Sequence, residues 1–161
     1  MYQIGQRVVY GACGVCRVAE QKEEKGKQYL VLEPEGQDNS RYFVPLTNPA
    51  AMNKLRPMLT REEMENLLSF ARNSGAAWIS EENQRKQLYR ELISGGDRQR
   101  LMGTVCSLYR YKASRAAEGK KCHICDDLFL KDAEKLLAGE ISAVLGIEME
   151  QAKQYLRTQL T

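Results

Sequence analysis

All four prolines of this 161-residue chain, Pro34, Pro45, Pro49 and Pro57, fall within its first 57 residues. Proline has a fixed φ and no amide hydrogen, so it suits turns and strand edges and disfavours helix interiors. The chain therefore reads as a β-rich segment, 1–57, followed by a helical one, 58–161, giving an α+β protein of two small domains. In the first segment Arg7-Val8-Val9-Tyr10, Val15-Cys16-Arg17-Val18, Gln28-Tyr29-Leu30-Val31-Leu32 and Arg41-Tyr42-Phe43-Val44 are β-branched or aromatic runs. Turn residues separate them at Gly11 to Gly14, Lys25-Gly26 and Pro34 to Asn39. With a fifth strand near Lys54-Leu55-Arg56, they suit a small, strongly bent antiparallel barrel, because open edges invite pairing with other chains. So short a segment has a marginal core of its own.

The second segment predicts five helices. Thr60-Arg61-Glu62-Glu63 is a capping box, followed by a stripe of Met64, Leu67, Leu68 and Ala71 that ends at Asn73-Ser74-Gly75. A second helix runs from about Ser80 to Ser94 and stops at Gly95-Gly96. Asp97 caps the third, which buries Leu101, Met102, Val105, Leu108 and Tyr109 and ends before Gly119. Asp126 and Asp127 lie in the first turn of the fourth, where carboxylates complement the helix dipole. Its expected buried face is Leu128, Phe129, Ala133, Leu136, Leu137, Ile141 and Val144, and Gly146 stops it. A short last helix carries Met149, Ala152, Tyr155 and Leu156.

A composition of 43% hydrophobic and 28% charged residues excludes wholesale disorder. No apolar run approaches the ~20 residues that cross a bilayer. Met1-Tyr2-Gln3-Ile4-Gly5 has no secretion-signal character, so a cytoplasmic protein that does not engage membranes is expected. The net charge of +3 gives no reason to expect a stand-alone nucleic-acid binder. Its distribution says more. From Asn83 to Lys121 ten basic residues face three acidic ones, a local charge of +7. On the second helix Arg85, Lys86, Tyr89 and Arg90 stand at i, i+1, i+4 and i+5, a spacing that offers a phosphate-binding face or simply a solvated one. Trp78, the only tryptophan, lies just before that helix. A lone tryptophan is commonly a core anchor, but beside a basic face an exposed ring is also how minor-groove proteins distort a base step.

Two Cys-x-x-Cys pairs, Cys13/Cys16 and Cys122/Cys125, raise a tetrahedral zinc or a thiol-redox site. They stand 106 residues apart, on opposite sides of the segment boundary, far from zinc-ribbon spacing. Cys16 alternates with Val15 and Val18 as a small core residue does, and Cys122/Cys125 precede a helix start, where one thiol gains mild activation. The single histidine, His123, disfavours His-based metal chemistry, and no phosphate loop, nucleophile elbow or acidic pair supports an enzyme. No cofactor, metal or catalytic residue is expected.

Val8-Val9-Tyr10-Gly11-x-x-Gly14-Val15, the Tyr29-Leu30-Val31-Leu32 strand and Val44-Pro45 resemble the N-terminal RNA-polymerase-interacting domain of the CarD/CdnL family, shared with transcription-repair coupling factors. Trp78, Arg85-Lys86, Leu92-Ile93-Ser94-Gly95 to Asp97, Leu108-Tyr109 and Glu134-Lys135-Leu136-Leu137 continue the resemblance in the family's order. It implies a Tudor-like or SH3-like barrel that docks on the β subunit of bacterial RNA polymerase, through Lys22, Arg41 and Phe43 here. It also implies a five-helix domain that meets promoter DNA at the upstream edge of the melted bubble, without sequence readout. There Trp78 would be the minor-groove wedge and Arg85, Lys86 and Arg90 the phosphate contacts. Phe43 stands in place of a family arginine, with Arg41 two positions earlier on the same strand face, and Glu81-Glu82 replace basic residues. The expectation is a monomeric, non-enzymatic transcription regulator that stabilises the open complex. The alternatives are a protein–protein adaptor with no DNA role and a zinc or thiol-redox protein.

Overall fold

The computed structural model describes residues 2–36, 40–95 and 97–161. The expected turn residues at 37–39 and the helix-stop Gly96 lie outside the described residues. The chain forms two compact units, Met1–Met58 with Ser94–Gly96, and Leu59–Ile93 with Asp97–Thr161. An antiparallel sheet is followed by helices, an α+β arrangement.

The first unit is built from β1 (Arg7–Tyr10), β2 (Gly14–Glu24), β3 (Lys27–Pro34), β4 (Tyr42–Pro45) and β5 (Leu55–Pro57), with a short helix α1 (Pro49–Met52) before β5. The ladder runs β4-β3-β2-β1-β5, which makes β4 and β5 its two ends. Its core is Val8, Cys16, Val18, Leu30, Leu32, Val44 and Leu55. Cys16 is thus a core residue with no exposed surface.

Two features exceed the sequence expectation. β2 continues to Glu24 because its polar half, from Glu20 onward, pairs with β3 across a hairpin. Lys25 and Gly26 both take positive φ there, 52° and 76°, the twist that a tight two-residue hairpin requires. A register shift between Val18 and Glu20 bends the strand. Helix α1 forms because Asn48 accepts hydrogen bonds from the Ala50 and Ala51 amides and Pro49 sits at the first position, where its missing donor costs nothing.

The second unit contains α2 (Arg61–Ser74), α3 (Glu82–Ser94, whose last residue belongs to the first unit), α4 (Arg98–Ala117), α5 (Ile124–Leu145) and α6 (Met149–Leu160). At the start of α2 the Glu63 amide donates to Thr60 Oγ1 at 3.1 Å and the Thr60 amide to Glu63 Oε1 at 3.2 Å. Thr60→Ala is expected to lower the stability of this unit by about 1 kcal/mol, read from the urea midpoint of helical ellipticity. The core gathers Met64, Leu68, Leu101, Met102, Leu137 and Leu156 among others. One expected core residue is misplaced: Leu128 is exposed, and Leu130 is buried in its stead. Asp126, Glu134 and Glu140 share the buried face of α5 with the apolar residues.

Candidate functional site

Two surfaces carry the residues singled out from the sequence, one in each unit. On the sheet, alternation sends Leu30, Leu32 and Val44 into the core and leaves Tyr29, Glu33 and Phe43 on the opposite face. Phe43 is 50% exposed. Its ring meets Tyr29 edge-on at 6.5 Å between centroids, and Lys22 Nζ lies 5.8 Å from its centre. Arg41 Nη2 pairs with Glu33 Oε1 at 2.9 Å, while Arg17 Nη2 holds the other oxygen at 2.8 Å. The hydrogen bond from Arg17, with Arg41 nearby, keeps the Glu33 carboxyl below its usual range. Lys22 therefore lies beside the Phe43 ring, while Arg41, two residues before Phe43, is paired with Glu33 and Glu20.

In the helical unit, Trp78 sits on a connection that is fixed along its length. At its start Gly75 packs so closely on Gly103 of α4 that a Cβ there would stand 3.2 Å from the Gly75 carbonyl oxygen. The Ala76 amide donates to Ser107 Oγ at 2.7 Å, and Ser107 Oγ donates to the Ala76 carbonyl at 2.8 Å. The Trp78 indole stacks on Tyr111 at 3.9 Å with an interplanar angle of 23°. Gly103, Ser107, Tyr111 and Arg115 recur every four residues, so one stripe of α4 carries the loop. The Arg115 guanidinium lies 5.8 Å from the Tyr111 ring centre. Trp78 keeps 38% of its surface exposed although Tyr111 stacks on one face of its ring.

The four-residue basic face expected on α3 is not formed. Arg85 and Tyr89 point inward, at 3% and 6% exposure, because both bind the buried carboxylate of Asp126. Arg85 is thus buried in an ion pair rather than presented at the surface. Lys86 and Arg90 remain on the surface, Lys86 beside Glu82 at 3.4 Å. Glu81 accepts from the Asn83 and Gln84 amides and caps α3, which explains an acidic residue at that position. Arg98 is likewise buried, against Glu140 at 3.1 Å. Two of the ten cations in the Asn83–Lys121 stretch are therefore buried against carboxylates of α5, outside that stretch, and a third, Lys112, pairs with an α5 carboxylate at the surface. Lys112, Arg115, Lys120 and Lys121 keep a positive surface at the end of α4 and just beyond it, with Lys112 paired to Asp127 at 3.1 Å. The sequence reading missed Tyr111 and Arg115; their four-residue spacing from Ser107 was the available signal.

The cysteines have a different character. Cys13 and Cys16 belong to one unit and Cys122 and Cys125 to the other. Burial pushes the Cys122 and Cys125 thiols up, and Cys16 up to about 12, the reverse of the shift that redox chemistry uses. Among the described residues no three Cys, His, Asp or Glu side chains converge as metal ligands. Nor is any described helix long and apolar enough to cross a membrane.

Residues 2–57 match the family model described as the CarD-like/TRCF RID domain. No curated protein matches the chain. The matched segment spans β1 to β5 and includes the Lys22–Phe43 patch. Residues 2–57 are thus a domain of the CarD-like/TRCF RID family, a family of RNA polymerase-interacting domains.

Proposed function

We propose that this protein is a non-enzymatic transcription regulator of the bacterial cytoplasm that bridges RNA polymerase and promoter DNA. The sheet unit binds the polymerase β subunit through Phe43, Lys22 and Arg41. The helical unit contacts promoter DNA at the upstream edge of the bubble through the exposed part of Trp78, with Lys86 and Arg90 as phosphate contacts. The match of residues 2–57 to a polymerase-interacting domain carries this reading. A half-exposed Phe43 beside Lys22 supports a surface for a protein partner on that domain. A pinned, partly exposed Trp78 supports the DNA role, because a rigid ring loses little entropy when it enters a groove.

Weak phosphate contacts suffice in such a protein. Binding to polymerase raises the local concentration of the helical unit around the DNA. A ring that binds the melted edge better than closed duplex shifts the equilibrium toward the open complex by that difference in affinity, and no sequence readout is needed. Trp78→Ala is expected to shorten the open-complex lifetime about tenfold, within the ~1–3 kcal/mol of a base–aromatic contact. Polymerase binding stays at the wild-type level. The adaptor reading draws on the covered face of Trp78, and an unchanged lifetime in this variant would favour it.

A further inference from the structure

Arg85 occupies a position that its charge alone does not explain. Its Nε and Nη2 donate to the two oxygens of Asp126 at 3.0 and 3.2 Å, and both side chains are almost completely buried. The remaining terminal nitrogen, Nη1, donates to the carbonyls of Ile79 and Ser80 at 3.2 and 3.0 Å. The guanidinium carbon lies 4.8 Å from the centre of the Trp78 ring. Tyr89 Oη donates to Asp126 Oδ1 at 2.6 Å and fixes the carboxylate in turn. A buried ion pair gives little net stability, since apolar side chains of similar volume fill the same space at no desolvation cost. An apolar pair, however, cannot hold two backbone carbonyls and lie against an indole. Only a planar fork with five donors does both.

We propose that the Arg85–Asp126 pair is the positioning device for Trp78: it holds the backbone just after the tryptophan and sets which part of the indole faces outward. This inference rests on reading Trp78 as a DNA contact. Arg85 then acts in DNA binding through Trp78, without touching a phosphate. The three anchors divide the work. Ser107 holds the loop before the ring, Tyr111 covers one face of it, and Arg85 holds the backbone after it. Because the guanidinium itself lies against the indole, loss of the fork changes the emission even for a pair that merely joins α3 to α5. Such a pair, however, would leave the open-complex lifetime at the wild-type level.

Because Trp78 is the only tryptophan, its fluorescence reports this loop directly. The test uses the full chain with Arg85→Lys, which keeps the buried charges balanced but lacks the fork, and with the double variant Arg85→Met/Asp126→Asn, which removes both charges. In either variant Trp78 emission is expected to move to longer wavelength and its quenching by acrylamide to increase, with helical ellipticity retained. The open-complex lifetime should fall to that of Trp78→Ala, and combining Arg85→Lys with Trp78→Ala should produce no further fall. Unchanged emission and quenching in a folded Arg85→Lys protein, or a wild-type open-complex lifetime where Trp78→Ala shortens it, would overturn the inference. Unfolding of both variants would also overturn it, in favour of a purely structural pair. If Trp78→Ala itself leaves the lifetime intact, the DNA reading of Trp78 falls, and the inference with it.

Discussion

Replacing Asp126 by alanine is expected to cost the helical unit about 3–5 kcal/mol, because it strands a buried guanidinium without its counter-charge. The carboxylate is 1% exposed and serves four donors: two nitrogens of Arg85, the hydroxyl of Tyr89 and, at 3.8 Å, the thiol of Cys125. Against a total stability of about 5–15 kcal/mol, such a loss places the unit near its unfolding threshold. The measurement is urea unfolding followed by far-ultraviolet ellipticity. Asp127 provides the internal comparison. It is the next residue on the same helix, but its ion pair with Lys112 lies at the surface, with side chains 54% and 50% exposed. Asp127→Ala should therefore change stability by only about 0–1 kcal/mol.

Phe43→Ala is expected to weaken polymerase binding about 30-fold, the ~2 kcal/mol that marks an interface hot spot. The ring is half exposed on a rigid strand and already oriented by Tyr29 and Lys22, so it docks with little loss of side-chain freedom. Truncation at an exposed site leaves the fold intact, and unchanged ellipticity checks this. Arg41→Ala should weaken binding too, partly because it releases the Glu33 carboxylate that Arg41 and Arg17 share. Lys22→Ala should have the smallest effect, since a flexible cation at a rim contributes mainly to association rate.

The division into sheet and helices was legible because proline acts locally, through φ and the missing donor, and needs no tertiary partner. The helix starts were legible for the same reason. Thr60 and Asp97 each satisfy an amide within three residues, and both do so in the folded chain. Features set by distant partners were not legible. The polar half of β2 carries no hydrophobic alternation, and its strand conformation comes from pairing with β3. Asp126 reads as a helix-start residue, yet its partner Arg85 stands 41 positions away. The same holds for Arg98 and Glu140, separated by 42. Periodicity on α5 pointed to Leu128 as a core residue, whereas packing against the other helices buries Leu130 and leaves Leu128 exposed. At the candidate site, Trp78, Lys86 and Arg90 lie on the surface, whereas Arg85 is buried against Asp126.

In the proposed function, polymerase binding by one unit delivers DNA contact by the other. Open-complex lifetime, measured on a promoter that melts unstably while the intact protein is titrated, tests it most directly. The lifetime should rise and saturate with the same half-point as binding of the protein to polymerase, and Phe43→Ala should move both curves together. Polymerase that is saturated with the protein yet shows an unaltered open-complex lifetime would contradict the account.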